Sequence, residues 1–164
     1  VKIRSVAFNN HRRDFTVKAG GSTYRLPYSR LEPGLARDDT VVSAAVDPEI
    51  GSEGFSYRAA SGHTGTVHME QVLDYNRDPR YMRDALLYEL TLAAQARLAQ
   101  AGLSRRELAR RMATSPSQLY RLLNQTNTRK SVDRMLVLLE ALDCDVRLSV
   151  RRRPTPRAVS ALPA

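Results

Sequence analysis

Leu103-Ser104-Arg105-Arg106-Glu107-Leu108-Ala109-Arg110-Arg111-Met112-Ala113-Thr114-Ser115-Pro116-Ser117-Gln118-Leu119-Tyr120-Arg121-Leu122-Leu123-Asn124 holds two helix starts in close succession. Ser104 followed by Glu107 is a capping box, in which the hydroxyl takes an otherwise unpaired N–H of the first turn. Leu108 and Met112, four apart, give that helix an inward face, and Ala109 leaves room for a second helix to approach. Ala113-Thr114-Ser115 is too short for anything but a turn. Ser115 then caps again, Pro116 takes the first helical position, and Leu119, Leu122 and Leu123 form an apolar stripe. Two short capped helices across so short a turn predict a helix-turn-helix.

Upstream, Asn76-Arg77-Asp78-Pro79 opens another helix, with Asp78 as cap and Pro79 in the first position. Met82, Leu86, Leu87, Leu90, Ala93, Ala94 and Leu98 recur at three- and four-residue intervals, and Gly102 supplies the stop. The part up to about Leu90 is placed to pack on the preceding half of the chain. Downstream, Ser131 caps a fourth helix carrying Met135, Leu136, Leu138, Leu139 and Leu142. Residues 144–151 then alternate, with Val146, Leu148 and Val150 on one side and Arg147, Ser149 and Arg151 on the other, which predicts a strand. Residues 151–164, with three prolines and no periodicity, read as a disordered basic tail able to add non-specific electrostatic affinity.

The order of residues in 103–124 resembles the XRE family of Cro- and repressor-like helix-turn-helix domains. Its pattern is met at Leu103, Ser104, Leu108, Ala109, Ser115 and Arg121. It departs at Arg105, where the family usually has Gln, and at Ala113, where the turn usually has Gly; Ala113 predicts a turn that tolerates a β-carbon. With the following helix and strand, residues 82–150 also resemble the DNA-binding half of HicB- and HigA-like antitoxins. The order of modules is similar to that of MqsA-type antitoxins, but the zinc-binding cysteines of their first module are missing.

The motif implies that its second helix enters a major groove, its first residues facing base edges. The outward positions are Pro116, Ser117, Gln118 and Arg121. Gln118 has the groups to pair bidentately with adenine and Arg121 with guanine. Alternatively, Gln118 closes the capping box on Ser115 and Arg121 clasps a phosphate. Arg105 and Arg106 at a helix start, Tyr120, and Thr126, Asn127, Thr128, Arg129 and Lys130 in the next loop are candidate phosphate contacts, which set register rather than sequence. Arg110 and Arg111 serve equally well as a solvated helix face.

Residues 1–76 lack a helical stripe. Phe15 and Val17, then Tyr24 and Leu26, alternate about Gly20-Gly21, the signal of a hairpin. Residues 55–58 and 66–69 form a second, joined through Ser61–Gly65. Leu31–Arg37 and Asp47–Gly54 are loops, and Glu70–Tyr75 a short helix, beside one small antiparallel sheet. His63, His68 and Glu70 lack the fourth partner and the H-x-x-x-H spacing of a zinc site, so a surface histidine pair is expected, with no metal and no cofactor. Gly20-Gly21 opens no phosphate-binding loop, and no serine has an evident base.

Charge divides the same way. Of 26 basic and 17 acidic residues, residues 1–76 hold nine of each and are neutral, so the whole net charge of +9 lies in residues 77–164. Such asymmetry suits a neutral module joined to one that meets a polyanion. The 42% hydrophobic content excludes wholesale disorder. No apolar run is long enough for a transmembrane helix, Val1-Lys2-Ile3-Arg4 does not open a secretory leader, and the single Cys144 fits a reducing cytoplasm.

The sequence therefore predicts an α+β protein. A β-rich module (1–76) precedes an all-α helix-turn-helix bundle with a C-terminal strand (77–150) and the tail (151–164). The expected function is that of a sequence-specific DNA-binding transcriptional regulator, a repressor, rather than an enzyme. It binds double-stranded operator DNA as a homodimer, seamed by the strand Val146–Val150 or with that strand paired to the first module. The alternative is an antitoxin, whose first module neutralises a toxin protein while the helix-turn-helix autoregulates the operon.

Overall fold

The computed structural model describes residues 1–151; the expected tail falls outside these except for Arg151, which is exposed and irregular. The chain divides into two compact units, Val1–Leu86 and a second beginning at Leu87, each with its own core.

The first unit is two three-stranded antiparallel sheets rather than one. Strands β1 (Ile3–Asn9), β2 (Asp14–Ala19) and β3 (Ser22–Pro27) form the first sheet. The second comprises β4 (Val41–Val46), β5 (Gly54–Ala59) and β6 (Thr64–His68). Both expected hairpins are present, as β2–β3 and β5–β6. Gly20 and Gly21 both have positive φ, 57° and 81°, as the two-residue turn whose twist matches the strands requires. The helix α1 (Met69–Asn76) follows.

The two sheets repeat one plan. Asp14-Phe15-Thr16-Val17-Lys18-Ala19 and Gly54-Phe55-Ser56-Tyr57-Arg58-Ala59 share the same alternation of buried and exposed positions. Phe15 pairs with Leu26 as Phe55 pairs with Val67. The first and third residues of each sheet's first strand, Ile3/Ser5 and Val41/Ser43, bracket the same register shift. The buried faces meet in one core where the Phe15 ring lies 4.9 Å from those of Phe55 and Tyr28 and 5.5 Å from Tyr57.

Helix α2 (Pro79–Ala101) begins as its sequence dictates. Asp78 Oδ1 accepts from the N–H groups of Arg80 and Tyr81 at 3.0 and 3.1 Å, while Oδ2 accepts from the Tyr24 hydroxyl. These hydrogen bonds, that of Tyr81 first, hold the Asp78 carboxyl below its ordinary value. Tyr81 packs on the first core, and Leu87 and Ala94 are buried in the second. Around them fold α3 (Arg105–Arg111), α4 (Pro116–Leu123) and α5 (Val132–Ala141). Leu108, Leu119, Leu122, Met135 and Leu138 point inward on them, with Leu142 just past α5, as the spacing predicts, whereas Leu136, expected on the same stripe, is exposed.

The strand expected over Val146–Val150 does not form: residues 144–151 carry no regular structure, and Val146, Leu148 and Val150 are exposed. Alternation alone cannot make a strand, because the backbone groups of an extended segment need a neighbour to bond to. Both sheets are complete without this segment.

Candidate nucleic-acid interface

Both helices of the motif start on the predicted serines. Ser104 Oγ accepts from Glu107 N–H at 3.1 Å, and Ser115 Oγ from Gln118 N–H at 3.2 Å. The turn between them carries Ala113 at φ +48°, with Ala113 N–H on the Arg110 carbonyl and Thr114 N–H on that of Ala109. This is a Schellman motif, which demands a left-handed residue after the helix. The alanine therefore occupies a glycine conformation rather than a turn relaxed to accept it.

Helix α4 is held at its far end by side chains from three places. Lys130 Nζ donates to the carbonyls of Leu122 (3.0 Å) and Asn124 (2.7 Å) and to the Thr91 hydroxyl. Gln95 from α2 donates to the Leu123 carbonyl, and Asn127 to that of Arg121. These are the carbonyls a helix C-terminus leaves unpaired, and an ammonium there also opposes the negative end of the helix dipole. Lys130, only 8% exposed, is thus a structural cap and not the phosphate contact the sequence suggested. Burial lowers its pKa from the ordinary 10.5.

The expected base-reading residues Pro116, Ser117, Gln118 and Arg121 are all exposed on α4. Gln118 does not close the capping box: its Oε1 accepts from Thr114 Oγ1 at 2.8 Å and from Arg134 Nη2 at 3.3 Å. Gln118 and Arg121 line a hollow of about 700 Å³ with Asn127, Arg129 and Arg134. Arg134, on α5, was not among the residues singled out from sequence; its place as the third residue after the Ser131 cap, on the exposed side of α5, was the available signal.

The candidate phosphate contacts separate into groups. Arg105, Arg106, Arg121 and Arg129 are exposed, and their guanidinium groups have no partner among the described residues. Tyr120 stands out as well, 63% exposed. Thr126 bonds Asn124, and Asn127 receives the Arg129 N–H, so these two side chains shape the loop. Thr128 is exposed on the same loop. Arg110 and Arg111 are engaged elsewhere. Arg110 pairs with Glu107 at 2.8 Å, and Arg111 lies 3.7 Å from Glu107 and from Asp143. The Arg110 hydrogen bond in particular holds the Glu107 carboxyl below its ordinary range.

In the first unit, His63 and His68 do not converge. His63 Nε2 lies 3.4 Å from the Tyr57 hydroxyl, while His68 precedes α1 with its N–H on Gln71 Oε1. Among the described residues no group of three His, Cys, Asp or Glu could hold a metal, and no helix is long and apolar enough to cross a membrane.

Residues 95–147 match the Cro/C1-type HTH DNA-binding domain. That span takes in the end of α2, the two helices of the motif, and α5. No curated protein and no solved structure matches the chain.

Proposed function

We propose that this chain is a sequence-specific transcriptional regulator, a cytoplasmic repressor that binds operator DNA as a homodimer. The observation that carries the reading is the set of exposed, unpaired guanidinium groups that the motif and the loop after it carry, Arg105 and Arg106 on α3, Arg121 on α4 and Arg129 in the loop, together with an α4 whose first turn is exposed. Cations left open along a helix-turn-helix of the Cro/C1 type fit a surface whose counter-charge is a phosphate backbone. A single α4 reads few base pairs, and a two-fold dimer doubles the readout on a palindrome. Support for the dimer is the alternation of residues 144–151, whose apolar Val146, Leu148 and Val150 are exposed in the single chain.

The test is selection of binding sites by the full chain from a random duplex pool. Enrichment of a palindrome is the expected result, with affinity falling steeply as salt rises. Retention of all sequences alike would overturn the regulator reading, even if DNA is bound.

A further inference from the structure

Resting on the DNA-binding reading above, we propose that Thr114 and Arg134 fix the Gln118 amide with its oxygen turned inward, so that this position offers the groove only donors and selects guanine over adenine. The orientation follows from the partners. A guanidinium has donors and no acceptor, so the Gln118 atom facing Arg134 Nη2 is the oxygen. The Thr114 hydroxyl, able to give or to accept, donates to the same Oε1. A carbonyl-type oxygen has two lone pairs, and both are taken. The Nε2 hydrogens have no partner among the described residues.

An amide reads adenine by accepting from N6 while donating to N7. With its oxygen already used, Gln118 would bring a donor against the N6 donor of adenine. Guanine presents two acceptors, N7 and O6, which two N–H groups satisfy together. The adenine pairing expected from the residue type alone is thus reversed by two neighbours. One comes from the turn before α4 and the other from α5.

The experiment is binding-site selection with the full chain and four variants. Gln118→Ala locates the position that Gln118 reads, as the one that turns degenerate. There the wild type should favour guanine over adenine by roughly tenfold, the discrimination typical of one good base contact. Arg134→Lys keeps a donor and should keep guanine. Thr114→Val with Arg134→Leu frees the oxygen and should move the preference to adenine. Thr114 is half-buried and Arg134 exposed, and the helical dichroism of the double variant checks its fold. Adenine selected by the wild type, guanine retained by the folded double variant, or no position lost in Gln118→Ala would each overturn the proposal. Enrichment of no sequence at all would instead overturn the regulator reading on which it rests.

Discussion

Ala113 carries a cost that its sequence position half disclosed. The family resemblance marks it as a usual glycine site, and the structure keeps the glycine geometry at φ +48°. A β-carbon in the left-handed region costs about 1–2 kcal/mol, part of which glycine gives back as unfolded-state entropy. Ala113→Gly should therefore stabilise the second unit by about 0.5–1 kcal/mol, read as a higher midpoint in urea; a lower one would mean that the turn is not strained. Lys130 was misread for a physical reason: sequence places a cation in a loop but does not show that α4's last carbonyls point at it. Lys130→Ala leaves the Leu122 and Asn124 carbonyls without that donor and should cost about 2 kcal/mol. Arg129→Ala should leave the melt unchanged while flattening the salt dependence of DNA binding by about one unit of slope. Equal melting of the two variants would return Lys130 to the surface. Arg121→Ala, in turn, should relax one base position while the chain stays folded, and unchanged base preference would show that α4 is oriented otherwise.

At the scale of elements, the helices were legible because caps and stripes are local. Asp78, Ser104, Ser115 and Ser131 each stand where a helix begins. The hairpins were legible because β2 and β5 alternate cleanly about buried Phe15 and Phe55. The first strands of the two sheets, β1 and β4, were not. Each buries one residue fully, Ile3 or Val41, and a register shift follows it, so no period survives. The duplicated plan is partly written in residue identity as well: Ser5, Ala7, Phe15 and Ala19 recur at the equivalent positions as Ser43, Ala45, Phe55 and Ala59. Residues 144–151 err in the opposite direction, alternating without a partner. If that segment pairs with a second copy, Leu148, 88% exposed in the single chain, becomes buried on association. Leu148→Asp should then give a folded monomer by light scattering where the wild type is a dimer. A wild-type monomer, or a variant that still dimerises, would place the seam elsewhere or remove it.

Over the whole molecule, the two cores carry ionisable groups of opposite response, which alkaline pH should expose. Tyr24, Tyr28, Tyr57 and Tyr81 belong to the first unit, and burial raises each above the ordinary 10.0. Above pH 10 the unfolded form of that unit sheds these protons while the folded form keeps them. The unfolded form then binds fewer protons, and each rise in pH favours it. Lys130 works in the other direction. Folded, it loses its proton below the 10.5 at which the unfolded lysine does, so as pH climbs towards 10.5 the folded second unit binds fewer protons and gains stability. Separate cores allow the two trends to show separately. Urea titrations at pH 8, 10 and 11, read by brief proteolysis and the masses of the surviving fragments, should show residues 1–86 losing protection above pH 10. The fragment beginning at Leu87 should hold its midpoint or raise it between pH 8 and 10. In Lys130→Ala that second trend should vanish while the first remains, since the tyrosines are untouched. A parallel fall of both fragments in the wild type would show that one cooperative transition joins the units, and that neither set of groups governs its own core.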